Sequence, residues 1–427
     1  MVLLNWGYKM NSQSILILYI LLFILEFLIS WFLSILNLNN ILKNRKKVPV
    51  LFQQSFDREK YSTTVSYNLD KGRLALVSEF VSAVFLMIII LSGFLGTVDS
   101  WMQNYLNDGY VFNIIYIFLI SMIFSLISLP FSLYSQFYIE EFYGFNNLSV
   151  RTYLLDMLKG AIISLVFMVP LLLGLFYFMD KTGSFWWLYA SLFIAAFQLL
   201  IMVIYPVAIA PLFNKFTPLE EGELKDRLLG LAEKTGFKTN GIFLMDGSRR
   251  SSHSNAYFTG LAKAKRIILF DTLVDSLSVS ELEAVLAHEI GHYKKKHIQK
   301  GLLSSILIMT AGLFMVELLM NWTALYEAFS FTRQGYHAIL IILSICLTPL
   351  SFFLSPVSNS RSRKHEYQAD RFSHDVTGSS AAMIGALLKL GHDNMSNLTP
   401  HKAYSFFHYS HPALAERLAA LEDLDKE

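Results

Sequence analysis

Long apolar runs broken by short polar stretches dominate the first half of the chain, and the pattern returns after residue 300. A helical membrane crossing takes about 20 mostly apolar residues. Seven stretches reach that length, at 14–36, 75–98, 111–137, 155–179, 185–213, 301–326 and 336–357. Pro206 and Pro211 interrupt the fifth and Pro349 and Pro356 the seventh, so kinks or early exits are expected there. The first run is too long for a secretory signal, lacks a small-residue cleavage pattern and precedes a basic loop, which makes it a retained span.

Residues 214–300 carry a different pattern. Helical periodicity over 223–237 is followed by short extended runs, GIFLM (241–245), NAYFTG (255–260) and RIILFDTL (266–273). A second helix then starts at Ser278, where Ser278 and Glu281 have capping-box spacing and Leu282, Val285, Leu286 and Ile290 follow at helical period. The C-terminal block, with SSAAMIGALLKLGHDN and HPALAERLAALEDL, reads as two amphipathic helices. The predicted organisation is five spans over 1–213 with a basic loop at 37–74, a polar α+β block at 214–300, two spans over 301–357, and a polar block at 358–427.

Composition agrees with a multi-pass helical membrane protein. Of 427 residues 54% are hydrophobic and 16% charged, against about 25% charged in soluble chains, and the mean hydropathy is +0.44. A net charge of +2, with the cations clustered beside apolar runs, gives no reason to expect a nucleic-acid partner. Cys346 is the one cysteine, so neither an internal disulfide nor a thiolate metal site is available.

The distribution of cations sets the orientation. Lys43, Arg45, Lys46, Lys47, Arg58, Lys60, Lys71 and Arg73 crowd the loop after the first span, whereas the loop after the second has no lysine or arginine. Alternation leaves Lys181 and Arg333 alone in the other outer loops and Lys9 in the outer tail. By the positive-inside rule both polar blocks face the cytoplasm.

The chemistry lies in LAHEIGHYKKKH. His288, Glu289 and His292 form H-E-x-x-H on a predicted helix. Four residues make a little over one turn, so both imidazoles share a face and can bind one Zn²⁺, with Glu289 placed to act on a water. A catalytic zinc takes a third protein ligand and keeps a position for water. His297 follows His292 by five residues rather than six and is expected at the helix surface or membrane edge. Topology puts Glu317 inside a span and Glu327 in an outer loop. The segment SRKHEYQAD remains, where Glu366 and Asp370 share a helix face, so that one can ligate while the other orients a ligand or assists proton transfer. If the helix continued past the lysines, the metal would lie about 13 Å from the start of the sixth span, at or near the membrane surface.

These residues, with RRSSHSNAYFTG, FNKFTPLEEGEL, EEFYGFNN and the HPALAERL tail, resemble the type I CAAX prenyl endopeptidases, membrane zinc metalloproteases. The resemblance runs from Glu140 to the C-terminus. It implies one zinc ion held by His288, His292 and Glu366, Glu289 as catalytic base, and Asp370 as proton donor or supporting group. It also implies that Asn255, Ala256 and Tyr257 lie along an extended substrate, and that His411 and Arg417 point toward the active site, in position to stabilise an oxyanion. The implied fold is a ring of seven helices around an intramembrane chamber, capped by an α+β metalloprotease domain. Glu26, Glu79 and Lys159, costly in lipid, suit such an interior. The implied substrate is a prenylated C-a-a-X terminus presented at a bilayer, in the endoplasmic reticulum of a eukaryote or the inner membrane of a bacterium.

Three alternatives compete. A stress-type quality-control zinc protease shares the motif but has fewer spans. A site-2 type intramembrane protease has an apolar zinc helix, unlike EIGHYKKKH. A transporter or channel with a structural zinc would use four protein ligands and have no need of Glu289.

Overall fold

The computed structural model describes residues 10–259 and 266–427; Lys9 and Gly260 fall outside them. Helices α1 (Ser12–Asn44), α2 (Arg58–Leu91), α3 (Phe94–Gln103), α4 (Tyr110–Tyr134), α5 (Val150–Lys181) and α6 (Trp186–Ile204) make up the first half. A soluble block follows, with β1 (Phe216–Pro218), α7 (Glu223–Lys234), β2 (Ile242–Met245), β3 (Ala256–Thr259), β4 (Arg266–Phe270), α8 (Asp271–Ser276) and α9 (Val279–Lys294). The chain ends in α10 (His297–Leu319), α11 (Thr323–Ala328), α12 (Tyr336–Thr377), α13 (Ala381–Asp393), α14 (Lys402–His408) and α15 (Leu414–Leu424). Seven helical stretches are long and apolar enough to cross a membrane: α1, α2, α4, α5, α6, α10 and α12, with α4 and α6 extended by adjoining short turns. The protein is a multi-pass membrane protein.

Several helices outrun their apolar stretches. α2 starts at Arg58 rather than near residue 75 because Tyr61, Thr64, Val65 and Leu69 are buried on the side of the soluble block. The prolines act differently in the two spans that carry them. At Pro206 and Pro211 the helix passes into a π turn (Tyr205–Ile209) and a 3-10 turn (Ala210–Leu212). α12 instead runs unbroken for 42 residues past Pro349 and Pro356. Pro356 has no N–H for the carbonyl of Phe352, and Ser355 Oγ donates to that carbonyl at 2.7 Å instead, so the helix continues without an orphaned acceptor. The boundary expected at residue 357 therefore falls inside one helix.

The spans touch in sequence, α1 with α2, α2 with α4, then α4 with α5, α5 with α6, α6 with α10, α10 with α12, and α12 back to α1, and α12 also touches α4 across this order. Three of them bury nothing at mid-depth, whereas α1 buries Phe23, Ser30 and Leu33 there. α2 buries nothing between Leu69 and Ile89, α5 nothing before Leu172, and α10 nothing between His297 and Leu313. On the side away from the soluble block an apolar core closes around Tyr116, Phe176, Trp186, Phe329 and Ile342. Arg333 sits there in a two-pronged pair with buried Asp99, at 3.1 and 3.0 Å.

The second core lies in the soluble block and joins α9 to α7, the sheet, α13 and α15. The sheet order is β1-β2-β4-β3, with β2 and β4 parallel and the outer pairs antiparallel. The first strand was not legible in the sequence, and the strand expected over 266–273 ends at Phe270, where α8 begins.

Candidate active site

Helix α9 begins at the expected capping box: Ser278 Oγ accepts from Glu281 N, and Glu281 Oε2 accepts from Ser278 N at 2.7 Å. It packs along α12 through small side chains. A Cβ on Gly291 would stand 3.1 Å from both Ala369 Cα and Phe372 Cβ, so glycine is what permits this approach. Ser373 Oγ donates to the carbonyl of Ala284 at 2.8 Å, a further cross-link between the helices. Residues 74 or more positions apart in the chain thereby face each other.

His288, His292 and Glu366 converge. The two Nε2 atoms lie 3.1 Å apart, and Glu366 oxygens lie 3.5 Å from His288 Nε2 and 3.4 Å from His292 Nε2. Ligands about 2.0–2.1 Å from a tetrahedral zinc stand roughly 3.3 Å from one another. The donor set and its spacing therefore fit a zinc-type ion, and these three are the group that could hold a metal ion among the described residues.

The outer nitrogens are occupied. Asp370 Oδ1 accepts from His288 Nδ1 at 2.8 Å, which leaves Nε2 as the free lone pair. His297 Nδ1 lies 3.1 Å from His292 Nδ1, and Gln368 Oε1 lies 2.9 Å from His297 Nε2. His297, the first residue of the helix that forms the sixth span, is thus buried against the His292 imidazole rather than exposed at a helix surface. The reason is a break in the helix: Lys296 adopts a left-handed backbone, φ 60°, that ends α9 and restarts the chain as α10. The helix is not continuous from His292 into the sixth span.

Asp370 is 1% exposed, and both its oxygens are engaged by Arg417, Nη2 to Oδ1 at 2.6 Å and Nε to Oδ2 at 2.9 Å. It stands behind His288, on the Nδ1 side of the imidazole. Arg417, expected to point toward the active site, forks onto Asp370 and brings Nη1 to 3.9 Å from Glu366 Oε2; burial acts against its charge, but Asp370 and Glu366 outweigh that and hold it protonated. His411 is the exposed member of the tail, its Nε2 3.5 Å from Glu366 Oε1. A cavity of about 590 Å³ lined by His411, Arg417 and Asn394 adjoins this rim.

Glu289 is half-buried, and burial raises its pKa, with His288 opposing the shift. Burial and the neighbouring His288 push His292 down to about 4, so its imidazole is neutral at physiological pH.

Ala256 and Tyr257 lie on β3, which pairs with β4 on one side, closes the sheet as an edge strand and packs against α9. Asn255 is exposed immediately before it. The entry to this strand is pinned by residues that no spacing rule revealed. Asn394 Oδ1 accepts from Ser254 N at 3.1 Å and lies 3.0 Å from His253 Nδ1. Glu140, from the end of the third span, reaches His253 Nε2 at 3.2 Å.

A seven-span body, a three-ligand metal group and an adjacent glutamate together define a membrane metalloendopeptidase. Residues 37–215 match the family described as CAAX prenyl protease N-terminal, five membrane helices, and residues 218–425 match peptidase family M48. The chain belongs to this family of CAAX prenyl protease type metallopeptidases. Among its relatives, CAAX prenyl protease 1 homolog of Oryza sativa subsp. japonica is 37% identical over 379 residues, covering 86% of this chain and 88% of the relative. CAAX prenyl protease 1 of Saccharomyces cerevisiae is 35% identical over 404 residues, covering 88% of each. The crystal structure of S. mikatae Ste24p superposes with a TM-score of 0.86 at 34% identity, over 95% of this chain and 98% of that one.

Proposed function

We propose that this chain is a zinc endopeptidase that cuts the peptide bond after the prenylated cysteine of a C-a-a-X terminus. The observation that carries the chemistry is the convergence of His288, His292 and Glu366 at tetrahedral spacing; the substrate class is supported by the names of the relatives. His288, His292 and Glu366 hold the ion. Zinc at that position supplies Lewis acidity, lowering the pKa of water toward about 7 and polarising a carbonyl. Glu289 takes a proton from the attacking water at its carboxylate and delivers it to the leaving nitrogen. Asp370 and His297 keep the two imidazoles in the tautomer that presents Nε2. The free edge of β3, at Asn255, Ala256 and Tyr257, pairs with an extended peptide backbone. His411, exposed at the rim, is the group placed to donate to a developing oxyanion.

The membrane body supports a lipidated substrate. Seven spans that touch in sequence and back to the first, three of them burying nothing at mid-depth, suit a ring around a chamber, in which a prenyl chain is sheltered. Residues 1–213 and 301–357 form this body; 214–300 and 358–427 form the catalytic part. The basic loops put that part in the cytoplasm, and the relatives support an endoplasmic reticulum membrane.

The test is incubation of purified protein with a farnesylated C-a-a-X peptide and its unprenylated twin, with and without chelator. Cleavage only of the lipidated peptide, abolished by chelator and by Glu289→Gln, is expected. Cleavage surviving Glu289→Gln overturns the mechanism, and indifference to the lipid overturns the substrate.

A further inference from the structure

A second concavity, of about 580 Å³, opens where the fourth and fifth spans meet the sheet. Lys159 of α5, Lys215 after the fifth span, Arg249 and Arg250 after β2, and Arg266 of β4 line it. Against these five cations stands one carboxylate, Asp156. Arg250 is fixed by it, Nε and Nη2 lying 3.1 and 2.9 Å from Asp156 Oδ2, with Nη1 3.2 Å from Asn214 Oδ1. The side chains of Lys215, Arg249 and Arg266 have no acidic partner among the described residues. Cations that converge from four separate segments into a pocket repel one another unless an anion joins them. Guanidinium forks match phosphate oxygens in particular.

One further observation narrows the ligand. The pocket is lipped by exposed Leu155 and Leu212, near the ends of two spans on the side of the soluble block, so apolar surface suited to acyl chains adjoins the cations. Asp156 is already taken up by Arg250 and by Lys159, whose Nζ lies 3.5 Å from its Oδ1, which leaves Lys215, Arg249 and Arg266 for the ligand.

We propose that this pocket binds the phosphorylated headgroup of an anionic lipid, of the phosphatidylinositol phosphate class, in the leaflet against the catalytic block. The phosphate groups sit among Lys215, Arg249 and Arg266. The site is separate from the metal group and does not depend on the proteolytic reading.

The test uses full-length protein in nanodiscs of phosphatidylcholine, with or without phosphatidylinositol phosphate, and measures lipid retention by native mass spectrometry. Removing a cation near a membrane surface weakens such binding roughly fivefold, so Lys215→Ala with Arg249→Ala lowers affinity about thirtyfold. Arg249→Glu alone, an exposed position, weakens it further than Arg249→Ala, and lipid-free thermal unfolding confirms that each variant is folded. Equal retention by wild type and folded variants overturns the site. Soluble inositol phosphate binding as tightly as the lipid overturns the membrane source.

Discussion

His297 Nδ1 lies 3.1 Å from His292 Nδ1. The contact fixes a direction of hydrogen bonding. If Gln368 Oε1 accepts from His297 Nε2, then His297 Nδ1 is an acceptor and His292 Nδ1 must be the donor, leaving His292 Nε2 bare toward the metal group. The opposite amide orientation would protonate Nε2 and remove a ligand, so zinc binding and the Gln368 orientation are coupled.

His297→Phe therefore weakens zinc binding by about 10- to 100-fold. His297→Asn, which keeps an acceptor near the position of Nδ1, retains most of the affinity, as does Gln368→Glu. Competition with a fluorescent chelator reads the metal affinity directly; equal affinities for the Phe and Asn variants would reject the relay.

The Asp370–Arg417 pair answers to a different measurement. Breaking a buried pair by removing one partner costs about 3–5 kcal/mol, so Arg417→Ala is expected to lower the unfolding temperature clearly. Arg417→Lys retains charge without the fork and falls between. Because Asp370 also holds His288, a double-mutant cycle with Asp370→Asn is expected to be strongly non-additive.

Gly291 carries the helix contact that assembles the site. Gly291→Ala forces the α9–α12 pair to shift, at a cost of about 1–3 kcal/mol for overpacking. Zinc affinity is expected to fall with stability, whereas Gly301→Ala, inside α10 with nothing within 4 Å of a new Cβ, leaves zinc affinity unchanged and does not lower stability.

Acid sensitivity is expected from Glu281. Burial alone would raise its pKa, but hydrogen bonds from Lys389 and Ser278 outweigh burial and depress it. A depressed carboxyl stabilises the fold above its unfolded value, about 4.3, and that contribution is lost as pH falls through the folded value. Glu281→Gln should thus unfold at a lower temperature than wild type at neutral pH, and the gap should close under strong acid. A gap independent of pH would assign the loss to packing instead.

Much of the protein was legible in the chain because the signals are local. Hydropathy over some twenty residues marks each span, and an i, i+4 pair of histidines shares a helix face wherever the helix is placed. The Ser278 capping box likewise depends only on neighbours. Helix lengths were less legible. Hydropathy ends where lipid ends, while α2 and α12 continue into water on tertiary contacts, and Ser355 carries α12 past a proline that by itself argues for a break.

The sequence by itself determined that the chain crosses a membrane seven times and carries a metallopeptidase motif, with a carboxylate pair in the right downstream segment. Only the tertiary structure decided how those parts act together. It put Glu366 beside the two Nε2 atoms and Asp370 on the outer nitrogen of His288, forked Arg417 onto Asp370, and brought His297 against His292 through one left-handed residue at Lys296. Each of these depends on distances between segments far apart in the chain, or on a single break between helices, which residue type and periodicity do not encode.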